Sequence, residues 1–264
     1  MLGRRLDREG NKGRHINRAA LSLTHEKGHS ARYYAGRVLV HWRSWISAYA
    51  SALPKFNENT DAKDTTMSKL SPPEVRAATS QERDWVLSTI EVAFINDPVM
   101  RFCWPRAKEY LTGIRHVANA MGGKAFDHGS AYLAPGFSGV ALWVPPGVHP
   151  DLEPIGALMV ETIDAALHED LFGMLGEMAA FHPEEDHWYL AQIGVDPFFQ
   201  AQGVGAALMK HALARCDTDG TPCYLESSNP RNISLYERFG FERVGEIQVG
   251  RSPIMTPMIR PAQG

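Results

Sequence analysis

Residues 195–206 read Val-Asp-Pro-Phe-Phe-Gln-Ala-Gln-Gly-Val-Gly-Ala. An apolar run ends at Asp196-Pro197, and Gly203 and Gly205 open a stretch of helical period. Backbone N–H groups at a helix N-terminus carry positive partial charge and suit a phosphate. A glycine lacks Cβ, so a pyrophosphate can approach its backbone closely. Gln200 adds a neutral donor. Two other phosphate cradles do not fit. A P-loop needs Gly-Lys-Ser/Thr, which is absent. The G-x-G-x-x-G fingerprint is half present, with Leu208 at the third glycine and an acid, Glu226, further on. Seven residues separate Val195 from Gly203, whereas in that fingerprint the glycine turn follows its strand directly.

A second motif, Asn232-Ile233-Ser234-Leu235-Tyr236-Glu237-Arg238-Phe239-Gly240-Phe241, follows downstream. Helical spacing puts Asn232 and Tyr236 on one face, with Gly240 as cap and Phe241 opening a strand. Other chemistries find no support. There is no H-E-x-x-H and no G-x-S-x-G elbow. Cys216 and Cys223, with His211, read as helix and strand packing rather than a metal site. Cys103, beside Trp104, reads as a core thiol.

Together, a strand ending in Val-x-Pro, Q-x-x-G-x-G, a helix, a strand and N-x-x-x-Y-x-x-x-G-F resemble the GNAT superfamily of acetyl-CoA-dependent N-acetyltransferases. The element order extends the resemblance over residues 74–260, with the specific motifs in 188–241. Within the superfamily, Trp188–Ala191 with Gly194-Val195, Leu225-Glu226-x-Ser228, Pro230–Asn232 and Tyr236–Arg238 look like the puromycin N-acetyltransferases, which modify the free amine of an aminoacyl-nucleoside. The resemblance implies an α/β fold: a mixed, mostly antiparallel central sheet flanked by helices. A helical insertion lies between its strands 3 and 4.

It also implies direct acetyl transfer to a primary amine of a small molecule, with acetyl-CoA as co-substrate and no metal. Cofactor binding then falls to Ile193, Gly194, Val195, Gln200, Ala201, Gln202, Gly203, Val204, Gly205, Ala206 and Asn232. Backbone N–H groups at a bulge near Gln192-Ile193 would face the developing oxyanion. Tyr236 would protonate the departing thiolate, which a phenol of pKa about 10 can do at neutral pH. An attacking alkylamine of similar pKa must lose a proton first. Glu226, ending the strand beside the cofactor strand, is the first candidate for that base; Glu184, Glu185, Asp186 and His187 precede the cofactor strand and come second. Two other readings predict different behaviour. A protein lysine or N-terminal acetyltransferase needs an open groove, and a non-catalytic acyl-CoA-binding module needs no Tyr236.

The elements that must position these residues follow from period and punctuation. The expected strands are 74–79, 131–134, 140–144, 188–195, 222–226, 241–249 and 254–259. A helix should follow an N-cap at Ser80, a second should cover 108–121 and stop at Gly122-Gly123, and others should span 204–215 and 233–239. The residues between Gly147 and His187 read as helical, with an apolar stripe at Leu171, Met174, Leu175, Met178 and Phe181 that serves as core or lid. The acids of this insertion would steer a cationic amine.

The 264 residues divide unequally in charge. The formal total of -3 averages +6 over residues 1–66 and -9 over 67–264. The acidic part argues against nucleic-acid binding. Three scattered cysteines make no disulfide framework, and no apolar run is long enough for a membrane helix. Residues 1–73 read as a basic, disordered or partly helical extension and linker, with an amphipathic stretch at 37–53; residues 74–261 form the catalytic domain. The expected location is cytoplasmic, or mitochondrial if the basic start is a transit peptide.

Overall fold

The structure, a computed structural model, describes residues 73–263. The expectations for the extension, its 37–53 helix and all but the end of the linker lie outside the described residues. Among the described residues, seven strands form one sheet: β1 (Arg76–Ala77), β2 (Ala131–Leu133), β3 (Gly139–Val144), β4 (Trp188–Val195), β5 (Cys223–Ser227), β6 (Glu242–Arg243) and β7 (Thr256–Arg260), in the order β1-β2-β3-β4-β5-β7-β6. Every neighbouring pair is antiparallel except β4 and β5. The helices are α1 (Arg83–Ala93), α2 (Pro98–Cys103), α3 (Ala107–Gly122), α4 (Glu153–Thr162), α5 (His168–Phe181), α6 (Val204–Asp219) and α7 (Ile233–Arg238). This is the expected mixed, mostly antiparallel α/β fold, and α4 and α5 form the expected insertion between β3 and β4.

Strand alternation divides the core into two layers. Leu133, Val140 and Leu142 join Val86, Ile90, Ile114 and Val117 of α1 and α3 on one face. Tyr132, Ala141, Trp143 and Leu190 join Leu208, Met209 and Tyr236 of α6 and α7 on the other. The sheet therefore carries α1 and α3 on one side and the phosphate-type turn with α6 on the opposite side.

Several local expectations change. The Ser80 cap moves one residue upstream: the Glu82 carboxylate accepts from the Thr79 N–H at 2.9 Å, and a short 3-10 turn precedes α1. Gly122-Gly123 does not stop α3 with a left-handed turn, since Gly123 stays right-handed and a further 3-10 turn follows. A Cβ on Gly122 would lie 2.6 Å from Leu142 Cδ1, so that glycine serves helix–sheet contact. Helix α2 was missed: six residues show no period, although Asp97-Pro98 is a cap signature. The expected 241–249 strand is two residues of β6 and an isolated bridge between Ile247 and Met255.

Candidate active site

The long strand β4 organises the site through one defect and one gap. Opposite β3, Leu142 faces Gln192 and Trp143 faces Leu190, so Ala191 is the extra residue of a β-bulge. The bulge expected near Gln192-Ile193 thus sits one residue earlier. On its other edge β4 pairs with β5 only at Trp188–Cys223 and Tyr189–Tyr224, and beyond these the two parallel strands part. The Asp196 N–H donates to Ser138 O at 3.0 Å on the β3 side. Backbone alternation therefore turns the polar groups of Ile193 and Val195 toward the gap. A ligand amide chain can pair there as a strand would.

The gap opens into a cavity of about 880 Å³. Ile193, Gly194, Val195, Gln200, Ala201, Gly203, Val204, Gly205, Ala206, Asn232 and Tyr236 all line it. The turn is shaped by two left-handed residues, Ala201 (φ 58°) and Gly203 (φ 84°). Glycine enters that region freely, whereas Ala201 carries backbone strain held by its surroundings. Gly203 then hands the chain to the sixteen-residue α6, whose first N–H groups have no intrahelical acceptor.

Two glutamines expected at the cofactor are used differently. Gln200 Nε2 donates to Val195 O at 3.2 Å, tying the loop to the strand and leaving the Val195 N–H for a ligand. Gln202 is not brought to the cavity; its Nε2 donates to Phe198 O at 3.0 Å. Sequence reasoning also missed Arg231 and Arg238, which line this cavity. Both were quoted as motif positions, and only the fold shows that they face the same space as the helix terminus.

A second cavity, of about 630 Å³, meets the first at Phe94, Asp97, Ile193, Asn232 and Tyr236, which line both. Its walls include Met100, Met121, Met159, Leu171, Met174, Leu175 and Met178. The apolar stripe of α5 thus walls a cavity as well as packing in the core. The acids of residues 147–187 do not line it, and Glu153, Glu161, Glu169 and Glu177 are exposed. Those four acids lie on the surface, and the cavity wall beneath the insertion is apolar. The carboxylates on the cavity are Asp97 and Glu226.

Glu226 is not a solvated strand-end acid. Its side chain is 3 % exposed, and Oε1 lies 3.6 Å from His182 Nδ1. Tyr189 and Tyr224 stack beside it with ring centroids 6.2 Å apart. Burial, reinforced by the Glu226 charge, raises both hydroxyls above the ordinary phenol range. They stay neutral at physiological pH. The Tyr224 hydroxyl and Gln192 Oε1 are buried without a hydrogen-bond partner. Among the weaker candidates, Glu184, Glu185 and Asp186 are exposed, and His187 is half-buried.

Tyr236 is buried at the junction, where burial and then the Asp97 charge push its hydroxyl up and keep it protonated. Asp97 caps α2 through the N–H groups of Val99 and Met100, both at 3.0 Å. Ser228 Oγ donates to its other oxygen at 2.5 Å. Burial outweighs these donors and raises the Asp97 carboxyl. Cys103 is a core thiol as expected, pushed up to about 12 by burial. Cys216 and Cys223 are buried and free. Among the described residues, no group of three His, Cys, Asp or Glu side chains is placed to hold a metal ion, and no helix is long and apolar enough to cross a membrane.

Residues 148–241 match the acetyltransferase (GNAT) family. An uncharacterized N-acetyltransferase of Schizosaccharomyces pombe is 37% identical over 75 residues, 28% of this chain and 30% of that protein. The ribosomal protein bS18-alanine N-acetyltransferase of Escherichia coli K12 is 40% identical over 72 residues, 25% of this chain and 49% of that protein. The chain thus spans less than half the length of either relative. A Corynebacterium glutamicum structure, described as histone acetyltransferase HPA2 and related acetyltransferase, superposes with TM-score 0.54 at 25% identity, covering 74% of this chain and 98% of that one. Arylalkylamine N-acetyltransferase 2 of Aedes aegypti shares the fold with TM-score 0.53 at 13% identity, covering 73% and 100%. These findings relate residues 148–241 to the acetyltransferase (GNAT) family.

Proposed function

We propose, from the GNAT fold and family match as premise, that this chain is an N-acetyltransferase acting on the primary amine of a small, largely apolar molecule, with residues 74–261 as the catalytic domain. The observation that carries this reading is the meeting of two unlike cavities at Tyr236. One is walled by a helix N-terminus and an open strand edge, the other by methionines and a buried carboxylate.

Acetyl-CoA fits the first cavity. The N–H groups of Gly203 to Ala206 and the side chains of Arg231 and Arg238 suit its phosphates. The free edge of Ile193 and Val195 matches the amide arm, as in β-augmentation. The thioester would then lie near the junction, beside the bulged strand, where a backbone N–H stabilises developing oxygen charge. Tyr236 holds a proton for the leaving sulfur. Glu226 takes a proton from the acceptor nitrogen, directly or through one water.

The apolar walls set the acceptor class. Covering them with an apolar body is favourable by about 25 cal/mol per Å², whereas a strongly hydrated polyamine gains little there. Aminoacyl-nucleosides, which the sequence resemblance suggests, carry such a body and belong in the screen. A protein N-terminus is the second reading, favoured by the E. coli relative, and short peptides test it alongside.

The first test is thermal. At a hundredfold excess over Kd a ligand stabilises by about 2.7 kcal/mol, which for a domain of this size raises Tm by roughly 5–10 °C. Gly203→Glu should abolish the shift, because a carboxylate would occupy the phosphate position at a left-handed residue. Thiol release is then measured across apolar amines, aminoacyl-nucleosides and peptides. A wild-type chain with no shift at millimolar acetyl-CoA overturns the proposal.

A further inference from the structure

The reaction proposed above must export a proton, and the base assigned to it faces the cavity that the acceptor fills. An alkylamine of pKa about 10 arrives as ammonium at neutral pH. Ammonium and thioester give amide, thiol and one proton. Of the two protons lost by nitrogen, one replaces that given by Tyr236 to sulfur and the other must leave. Glu226 has its side chain 3 % exposed and faces the acceptor cavity, so with an acceptor bound a route other than the cavity is needed to discharge it. His182, at the end of α5, lies 3.6 Å from it and is 35 % exposed. Beyond it, His182 Nε2 and His187 Nε2 are 3.1 Å apart.

The hydrogen bonds fix the proton positions along this row. His187 Nδ1 lies 2.7 Å from Glu185 O. A carbonyl only accepts, so Nδ1 carries the hydrogen and His187 Nε2 is left as an acceptor when the ring is neutral. His182 Nε2–H therefore donates to His187 Nε2, and when the His182 ring is neutral its Nδ1 presents a lone pair to Glu226. Two acceptors face one another at that contact, which is where an incoming proton is held.

We propose that Glu226, His182 and His187 form a proton exit from the acceptor cavity. Glu226 takes the proton from nitrogen and passes it to His182 Nδ1. The Nε2–H of His182 moves to His187 Nε2, the Nδ1–H of His187 leaves to water beside exposed Glu185 and Asp186, and proton exchange with water returns both rings to their starting tautomers before the next turnover. No electrons are transferred, and the amine's proton ends in solvent. The other titratable groups against the row are Tyr189 and Tyr224, whose rings lie 5.0 Å from His182. Tyr224 is also 5.8 Å from His187. Both hydroxyls stay neutral, so they neither drain nor supply the proton. Burial lowers His187, which favours onward release rather than storage.

This inference rests on Glu226 as base, and the experiment separates the two claims. Glu226→Gln should lower kcat by about 10²–10⁴-fold, the range for losing a general base. If Glu226→Gln keeps wild-type kcat, the base assignment fails and the exit with it. His182→Ala should lower kcat tenfold or more at low buffer, with KM for acetyl-CoA unchanged, and imidazole buffer should restore it in a concentration-dependent way. Wild type should show no such buffer dependence. A His182→Ala chain at full rate, or one slowed but indifferent to imidazole, overturns the exit while leaving Glu226 as base. His187→Gln, which leaves His182 and its helix intact, should show the same buffer dependence if His182→Ala does not fold. Nitrogen-15 NMR supplies a readout independent of turnover. His187 should be the Nδ1–H tautomer, and an Nε2–H tautomer in the neutral ring overturns the proton order.

Discussion

Gly194 lies where α1 packs against the site's strand β4, and Gly194→Ala probes the link between them. A Cβ at this position would sit 2.7 Å from Ala93 Cβ and 3.3 Å from Ile90 Cδ1. Non-bonded carbons prefer about 3.5–4.0 Å, so α1 must retreat by roughly 1 Å from β4. Ala93 Cβ is anchored to backbone and cannot swing away. Overpacking of this kind costs about 1–3 kcal/mol, which lowers Tm by roughly 2–12 °C in a domain of this size. The shift also carries Phe94 and Asp97, which follow α1 and line both cavities. A displacement of 1 Å near reacting groups can cost about 10²-fold in rate. The assay pairs thermal unfolding with acetyl-CoA-dependent thiol release for wild type, Gly194→Ala, Ala93→Gly and the double variant. Ala93→Gly alone loses about 1 kcal/mol of helix propensity. The double variant should be more stable and faster than the sum of the singles predicts. Additive effects, or a Gly194→Ala chain with wild-type Tm and rate, would refute the close approach as the element that sets the junction.

Further outcomes follow from the same geometry. Tyr236→Phe should lower kcat by about 10²–10⁴-fold with KM for acetyl-CoA nearly unchanged, as steady-state kinetics would show; an unchanged kcat would remove Tyr236 as the acid. Leu142→Ala, at a fully buried core position, should cost about 2–5 kcal/mol in denaturant unfolding. Asp97 has a raised carboxyl, so the folded chain binds its proton more tightly than the unfolded one. That stabilisation is complete below the unfolded pKa and is lost as pH rises through the folded value. The Tm gain of Asp97→Asn over wild type should therefore grow as pH rises from the acid side toward neutrality, and a gain that shrinks would reverse the sign. A chain shortened to begin at Met67 should keep the acetyl-CoA shift and activity, since the binding and acid–base groups assigned here lie within 93–238.

Much of the cofactor half was legible because its signals are local. The run Trp188–Val195, the glycine-led helix start and the Asn232–Tyr236 spacing each lie within one element and its cap. What period and capping show locally, the fold keeps in place. The acceptor half depends on distant chain segments and was less legible. Glu226 is buried by Tyr189, from the neighbouring strand, and His182, from the end of the insertion. Asp97 reaches the junction through a six-residue helix too short to show a period. The methionine stripe was visible as an apolar face, but only tertiary structure shows that part of it faces a cavity rather than another helix. The insertion's acids lie on the surface rather than on the cavity, a placement that composition, reporting charge without direction, does not show.

The central claim is direct acetyl transfer across the junction at Tyr236, and mass spectrometry of the acceptor tests it most directly. Wild-type chain is incubated with acetyl-CoA and a panel of apolar primary amines, with Tyr236→Phe in parallel. The account predicts an amine heavier by one acetyl group, matched mole for mole by free thiol, and strongly slowed in the variant. Acetyl-CoA that binds without any acetylated amine or peptide, or equal turnover in wild type and Tyr236→Phe, would contradict it.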